Sequence, residues 1–231
     1  MNIALILAGG SGTRLGGSLP KQYQELAGKP VLVRTISAFQ QQDEIDEVYL
    51  VCAKNWVAPV KMLVQKYALE KVTQVLTGGA DRRESSFLGL SALIKQHSPE
   101  DIVLIHDGAR PLVSSRIITD CIDAAQKWPA STTAIPVQDT ILDSEEGEWV
   151  SSIPERSRLY AVQTPQTFRL GVIYQGHLAL PPDSPVTDDA GILAAQGISV
   201  HLVEGDKRNL KLTTQEDLEI ARIFKSSCVV S

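Results

Sequence analysis

The chain reads as an α/β fold: a Rossmann-like, mainly parallel sheet with helices on both faces and a protruding β-hairpin arm. Two observations predict the sheet. Short apolar runs alternate with stretches of helical spacing from Ile3 to Val137. Several of those runs end in glycine turns, as strands that feed helices do. A third predicts the arm. The alternation breaks between Asp139 and Tyr160, at the acidic turn Asp143-Ser144-Glu145-Glu146-Gly147-Glu148.

Element by element, Ile3-Ala4-Leu5-Ile6-Leu7 is a fully buried strand and Val31–Phe39 an amphipathic helix. Glu47–Val51 is a strand and Val57–Tyr67 a helix. Val72–Leu76 is a strand ending at Gly78-Gly79, followed by a helix over Glu84–Ile94. Ile102–Ile105 is a buried strand, Ile117–Trp128 a helix and Thr132–Val137 a strand. The pattern resumes near Val200–Val203. Thr213 and Glu216 fit a capping box for a last helix, Asp217–Phe224. The whole, residues 1–231, is expected to be one domain, with 138–160 an arm within it. An isolated two-stranded hairpin is marginal in water, so the arm is expected to pack on a second copy.

In a parallel sheet, ligands sit beyond the carboxyl ends of the strands. The loops after Leu7, Leu76, Ile105 and Val137 should therefore border one site. The loop Leu7-Ala8-Gly9-Gly10-Ser11-Gly12-Thr13-Arg14-Leu15, closed by Pro20-Lys21-Gln22, is the most informative. Glycine lets backbone N–H groups approach an anion, and Arg14 and Lys21 add two cations; together they point to a polyphosphate. Two common phosphate loops do not fit. Leu15 stands where the dinucleotide fingerprint needs its third glycine, which counts against a nicotinamide oxidoreductase. Ser18 stands where a P-loop needs lysine.

His106-Asp107-Gly108-Ala109-Arg110-Pro111 closes the strand Ile102–Ile105. A carboxylate at a strand end facing a triphosphate loop suits magnesium or another divalent cation, which takes one or two protein carboxylates plus substrate phosphates. An N-cap or an Arg110 salt bridge is the plainer use of Asp107, and His106 reads as a packed strand residue. Gly78-Gly79-Ala80-Asp81-Arg82-Arg83-Glu84-Ser85 is a second glycine turn opening a helix, where Ser85 could help read a nucleobase. Arg156 and Lys211 are the cations a second phosphate would need; Asp188-Asp189 reads as a helix N-terminus.

Composition sets outer bounds. The 231 residues are 43% hydrophobic and 21% charged, ordinary for a soluble globular protein. A net charge of −5 and isolated basic residues argue against a nucleic-acid partner. Cys52, Cys121 and Cys228 are too few and scattered for disulfides or zinc, which suggests a reducing compartment. No run reaches transmembrane length and the first apolar run lacks a signal-peptide pattern, so a cytoplasmic, membrane-free protein is expected. Cys228-Val229-Val230-Ser231 has the form of a prenylation box without a polybasic flank, and reads as a chance match in a terminal tail.

Taken in order, Leu7–Arg14, Pro20-Lys21-Gln22, Gly78–Ser85, His106–Pro111, Asp139-Thr140, Glu155-Arg156, Thr164-Pro165-Gln166, Thr187-Asp188 and Asn209–Lys211 resemble the 2-C-methyl-D-erythritol 4-phosphate cytidylyltransferases of the nonmevalonate isoprenoid pathway. The likeness runs from Ile3 to about Ala221. It implies CTP and a polyol phosphate as substrates, magnesium, and a homodimer built through an exchanged arm. It implies that Leu7, Ala8, Gly9, Gly10, Gly79, Asp81, Arg82 and Ser85 bind CTP, with Gly79 and Ser85 against cytosine. Arg14, Lys21, Arg156 and Lys211 would be catalytic, and Asp107 would hold the metal. Arg110, Thr140, Arg156, Thr187 and Lys211 would hold the polyol phosphate. The sister ribitol-5-phosphate cytidylyltransferases share nearly all these motifs. Gly108-Ala109 and Tyr160–Thr164 favour the methylerythritol enzymes; Ile153-Pro154 and Gln166–Phe168 lean the other way.

Overall fold

In the computed structural model, which describes residues 1–10, 20–181 and 184–227, the apolar runs assemble into one seven-stranded sheet. Its strands are β1 (Asn2–Ala8), β4 (Glu47–Cys52), β5 (Val72–Thr77), β6 (Ile102–Asp107), β7 (Ala130–Pro136), β8 (Tyr160–Arg169) and β9 (His201–Glu204). The order is β5-β4-β1-β6-β8-β7-β9. A two-stranded ribbon, β2 (Glu25–Leu26) with β3 (Lys29–Pro30), lies apart. The helices are α1 (Val31–Gln40), α2 (Val57–Lys66), α3 (Arg82–Leu93), α4 (Ser115–Lys127), α5 (Leu170–Ala179), α6 (Asp189–Ala195) and α7 (Gln215–Ser227).

Both faces of the sheet are covered, and β1 shows how. Successive side chains of a strand point to opposite faces. Ala4, Ile6 and Ala8 pack with Leu32, Ile36 and Phe39 of α1, Val60 of α2, and Ile118 and Cys121 of α4. Ile3, Leu5 and Leu7 pack with Leu90 and Leu93 of α3, Ile173 of α5 and Leu193 of α6. All of these are buried, which is why the strand reads as an unbroken apolar run. Close approach explains Gly89 in mid-α3, where a Cβ would fall 2.7 Å from Leu5 Cδ1.

The one antiparallel strand of the sheet, β8, departs from expectation. Thr164-Pro165-Gln166, expected in or beside the arm 138–160, lies in a central strand between β6 and β7. The sequence Tyr160–Arg169 hides this, because most of its buried positions are polar. Thr164, Gln166 and Thr167 are all buried, and a proline interrupts the run. The ladder to β7 shifts register between Thr132 and Ala134, which leaves room for Pro165; its carbonyl accepts from Thr133 Oγ1 at 2.7 Å. Helix α5, apolar nearly all round, likewise has no signal in the sequence; of α6, only seven residues long, the sequence shows just the start at Asp188-Asp189.

The arm residues 138–153 are exposed throughout. Their hairpin character is reduced to a single antiparallel bridge, Asp143 with Ser152, followed by a 3-10 turn at Arg156–Arg158. The last capping box is shifted by one residue: Thr214 N–H donates to Asp217 at 2.8 Å and Asp217 N–H to Thr214 Oγ1 at 3.3 Å, and α7 starts at Gln215.

Candidate active site

The carboxyl ends of β1, β5 and β6 open on a cavity of about 460 Å³. Its floor is Leu7, Ala8, Gly9 and Gly10, where β1 runs into the glycine-rich loop. Lys21 and Gln22 return from the far side of that loop. Gln22 is buried, and its amide donates to the Ala8 carbonyl at 3.0 Å and the Gly10 carbonyl at 2.9 Å, tying the two ends of the loop together. The sequence named Gln22 only as part of a motif; a polar residue flanked by Lys21 and the buried Tyr23 was the available signal.

The second wall is the turn from β5 into α3. Asp81 caps α3, its carboxylate accepting from Glu84 N–H at 2.7 Å. Gly79 N–H donates to Ser85 Oγ at 3.1 Å, and a Cβ on Gly78 would meet that same oxygen at 2.7 Å. Ala80, Asp81, Arg82 and Ser85 line the cavity, so the N-terminus of α3 faces it.

The third wall is the end of β6. Asp107 is buried amid three cations: Lys211 Nζ at 2.9 Å, Arg82 Nε at 3.4 Å and Arg110 Nε at 3.6 Å. Burial raises its pKa, but Arg82, Lys211 and Arg110 together outweigh that and hold the carboxyl well below the usual range. The loop behind it is fixed from several sides. Gly108 N–H donates to Leu7 O at 2.8 Å, Thr35 Oγ1 to Gly108 O at 3.0 Å, and Leu212 N–H to Ala109 O at 2.9 Å. Arg110 donates to Asn209 O at 2.7 Å. These last two bonds bring Asn209-Leu210-Lys211 alongside β6, a neighbourhood set by tertiary contacts alone.

His106 is fully buried, as expected of a packed strand residue. Burial pushes its pKa down to about 4, so it is neutral at pH 7. Its Nε2 faces the Arg110 carbonyl at 3.2 Å, which can only accept, so Nε2 carries the proton. Nδ1 then accepts from the Thr164 hydroxyl at 3.0 Å, and Thr164 Oγ1 accepts Asp107 N–H at 3.1 Å. Arg82 is held from the other side by Asp189, at 2.7 Å. Burial opposes the Arg82 charge, but Asp189 and then Asp107 more than restore it. Asp189 is itself buried, and also accepts from Ser86 Oγ at 2.6 Å and pairs with His177 Nε2 at 3.0 Å. Asp188 caps α6 as the sequence suggested, accepting Gly191 N–H at 3.0 Å.

Of the residues expected at the site, Leu7, Ala8, Gly9, Gly10, Lys21, Asp81, Arg82, Ser85, Asp107 and Lys211 line this one cavity. Gly79 adjoins it through Ser85. Arg110 lies behind Asp107, outside the cavity wall. Thr140, Arg156 and Thr187 are exposed and do not line the cavity of their own chain; Arg156 donates to Gln138 O at 3.0 Å. Arg14 lies outside the described residues, as do Cys228–Ser231.

A glycine-rich floor, a helix N-terminus, the cations of Lys21, Arg82 and Lys211 and the strand-end carboxylate of Asp107 suit a nucleoside triphosphate. The profile of the IspD family, 2-C-methyl-D-erythritol 4-phosphate cytidylyltransferase, matches residues 2–226. The chain belongs to that family. A relative of that name from Lachnospira eligens is 39% identical over 228 residues, covering 97% of this chain and 99% of its own. One from Alkaliphilus oremlandii is 41% identical over 219 residues, covering 94% and 92%. The solved 4-diphosphocytidyl-2C-methyl-D-erythritol synthase of Anaerococcus prevotii superposes with a TM-score of 0.84 at 33% identity, covering 97% of this chain and 96% of that one. Family membership makes the chain a cytidylyltransferase, and the fold it shares with these structures is α/β.

Proposed function

We propose that the protein transfers the cytidylyl group of CTP to 2-C-methyl-D-erythritol 4-phosphate and releases pyrophosphate. The observation that carries this is the convergence of Lys21, Arg82, Asp107 and Lys211 on the glycine-rich floor, in a chain whose family profile spans residues 2–226. The names of the relatives favour this acceptor over ribitol 5-phosphate. The acceptor phosphate oxygen attacks the α-phosphorus of CTP in line, and the bond to the pyrophosphate oxygen breaks. No protein nucleophile or base is needed, in keeping with a fully buried His106 whose two ring nitrogens are both hydrogen-bonded within the protein. Catalysis is positioning plus neutralisation of charge spreading over the α-phosphate oxygens. The floor N–H groups and Lys21 supply donors and charge on one side, Lys211 on the other, and Arg14 adds to the loop in this reading. Gly79 and Ser85 hold cytosine.

Asp107 fits a divalent cation. It offers a single carboxylate into the cavity, and among the described residues no cluster of three or more metal-ligating side chains surrounds it. That suits magnesium, which draws its remaining ligands from phosphates and water. Such an ion, when bound, neutralises triphosphate charge.

The reading includes a homodimer. The exposed arm carries Trp149 at 78% and Ile153 at 64% exposure, apolar surface suited to a second copy, and with it Thr140 and Arg156. Those two and Thr187 would then hold the methylerythritol phosphate, with Arg110 supporting from behind Asp107. No described helix is long and apolar enough to cross a membrane, and a cytoplasmic enzyme fits the free, buried Cys52 and Cys121. Pyrophosphate release from CTP, with methylerythritol, ribitol and sugar phosphates compared, tests the reading. The highest kcat/KM is expected with methylerythritol 4-phosphate; a higher value with ribitol 5-phosphate would overturn it.

A further inference from the structure

A second cavity, of about 360 Å³, lies between α1, the segment after Arg110 and the end of α7, and none of its lining residues lines the first. Lys29, Arg34, Arg208 and Lys225 line it, against one carboxylate, Asp206. Asp206 is already committed: it pairs with Arg208 at 2.9 Å. Lys29, Arg34 and Lys225 make no ion pair among the described residues. Arg34 is half-buried and spends Nε and Nη2 on the Leu26 and Ala27 carbonyls, which fixes its guanidinium without neutralising it. Three unneutralised cations around one hollow repel one another, and this occurs in a chain of net charge −5. The rest of the lining includes Val113 and Phe224. The volume is within the ordinary range for small-molecule sites, whose polar groups orient a ligand against apolar walls.

We propose that this cavity binds a small phosphate monoester with a short apolar group, at a site separate from the glycine-rich cavity. A phosphate monoester carries close to two negative charges at neutral pH, which matches the unneutralised lysines and Arg34. The apolar group would lie on Val113 and Phe224. The proposal goes beyond the transfer reaction and does not depend on it.

Phenyl phosphate is the probe, with inorganic phosphate and phenol as its two halves. Backbone amide NMR on the full chain follows the titration, with excess CTP and magnesium present to occupy the first cavity. The expected result is saturable shifts at Val113, Arg34 and Lys225, with phenyl phosphate binding more tightly than either half. The Lys29→Glu/Lys225→Glu variant should weaken binding about tenfold or more, and Lys29→Gln by a smaller factor, since reversing charge does more than removing it. Both lysines have exposed or half-exposed side chains, so the variants should keep the parent urea midpoint and CTP turnover without probe. Shifts confined to the first cavity, equal binding of phenol, or unchanged affinity in the double variant would each overturn the proposal.

Discussion

Asp107 shows how one side chain is made to serve a site. Its carboxylate is surrounded by Arg82, Arg110 and Lys211 at 2.9–3.6 Å, so it stays ionised and its attraction is shared. Asp107→Asn keeps the shape and removes the charge. We expect a loss of kcat of roughly a hundredfold, of the size seen when one transition-state contact is removed, partly recovered at high magnesium. Unaltered magnesium dependence would take Asp107 out of the metal site. The preceding residue makes a pH prediction. His106 has a folded pKa of about 4, below its ordinary value of 6.5. The unfolded chain therefore binds a proton that the folded one refuses between those values. Stability is full above about pH 6.5 and falls as the pH drops toward 4, by on the order of 3 kcal/mol from this group. Asp107, depressed only in the folded state, adds little slope above about pH 5 and deepens the loss below it, where the unfolded carboxyl takes up its proton. Urea midpoints at pH 7.5 and 4.5 measure the slope. His106→Gln, which cannot titrate, should be less stable at pH 7.5 and show a flatter pH dependence; an unchanged slope would refute the assignment.

At the scale of elements, the cavity is made of strand ends and one helix start. The cap Asp81 does two things: it satisfies the Glu84 N–H and, as part of the wall, holds the first turn of α3 where Arg82 and Ser85 face the cavity. Asp81→Ala should cost about 1 kcal/mol of stability, the usual worth of a lost N-cap. It should also raise the KM for CTP with a smaller change in kcat, because the loosened turn positions the base rather than the reacting phosphorus. Steady-state kinetics beside urea unfolding separate the two effects; a fall in kcat at constant KM would contradict the positioning role. Most elements were legible beforehand. The strand Ile102–Asp107 is a plain apolar run, and α4 has a clear apolar stripe through Ile117, Ile118, Cys121 and Ile122. The strand β8 was not legible. Thr164 and Gln166 are buried polar side chains satisfied by partners far away in sequence, and no local pattern announces such partners.

For the whole molecule, the question is where Arg156 acts. It is exposed on the arm and does not line the cavity that holds Lys211 of the same chain. If the arm completes a neighbour's site, Arg156→Ala and Lys211→Ala should each be nearly inactive alone. Mixed after mild dissociation, they form heterodimers with one intact site and one lacking both cations. Activity should return to about a quarter of the wild-type value for random pairing of equal amounts, since about half the dimers are mixed and each has one good site of two. Verified heterodimers with no recovery would overturn the shared site.

The sequence by itself determined the alternating α/β order, the glycine-rich floor, the second glycine turn and the strand-end Asp107, because each depends on residues close together in the chain. Arg156 and Lys211 were legible only as cations a second phosphate would need; family likeness put them, with Thr140 and Thr187, at the site. Only the tertiary structure decided that Lys211 lies 2.9 Å from Asp107, that Arg82 is gripped between Asp107 and Asp189, and that Arg110 stands behind the cavity wall. These are distances between residues tens of positions apart, fixed by how β6, β8 and the segment before α7 pack together. Local propensity and periodicity carry no information about such distances, because they depend on which buried polar groups find one another once the chain has closed around its core.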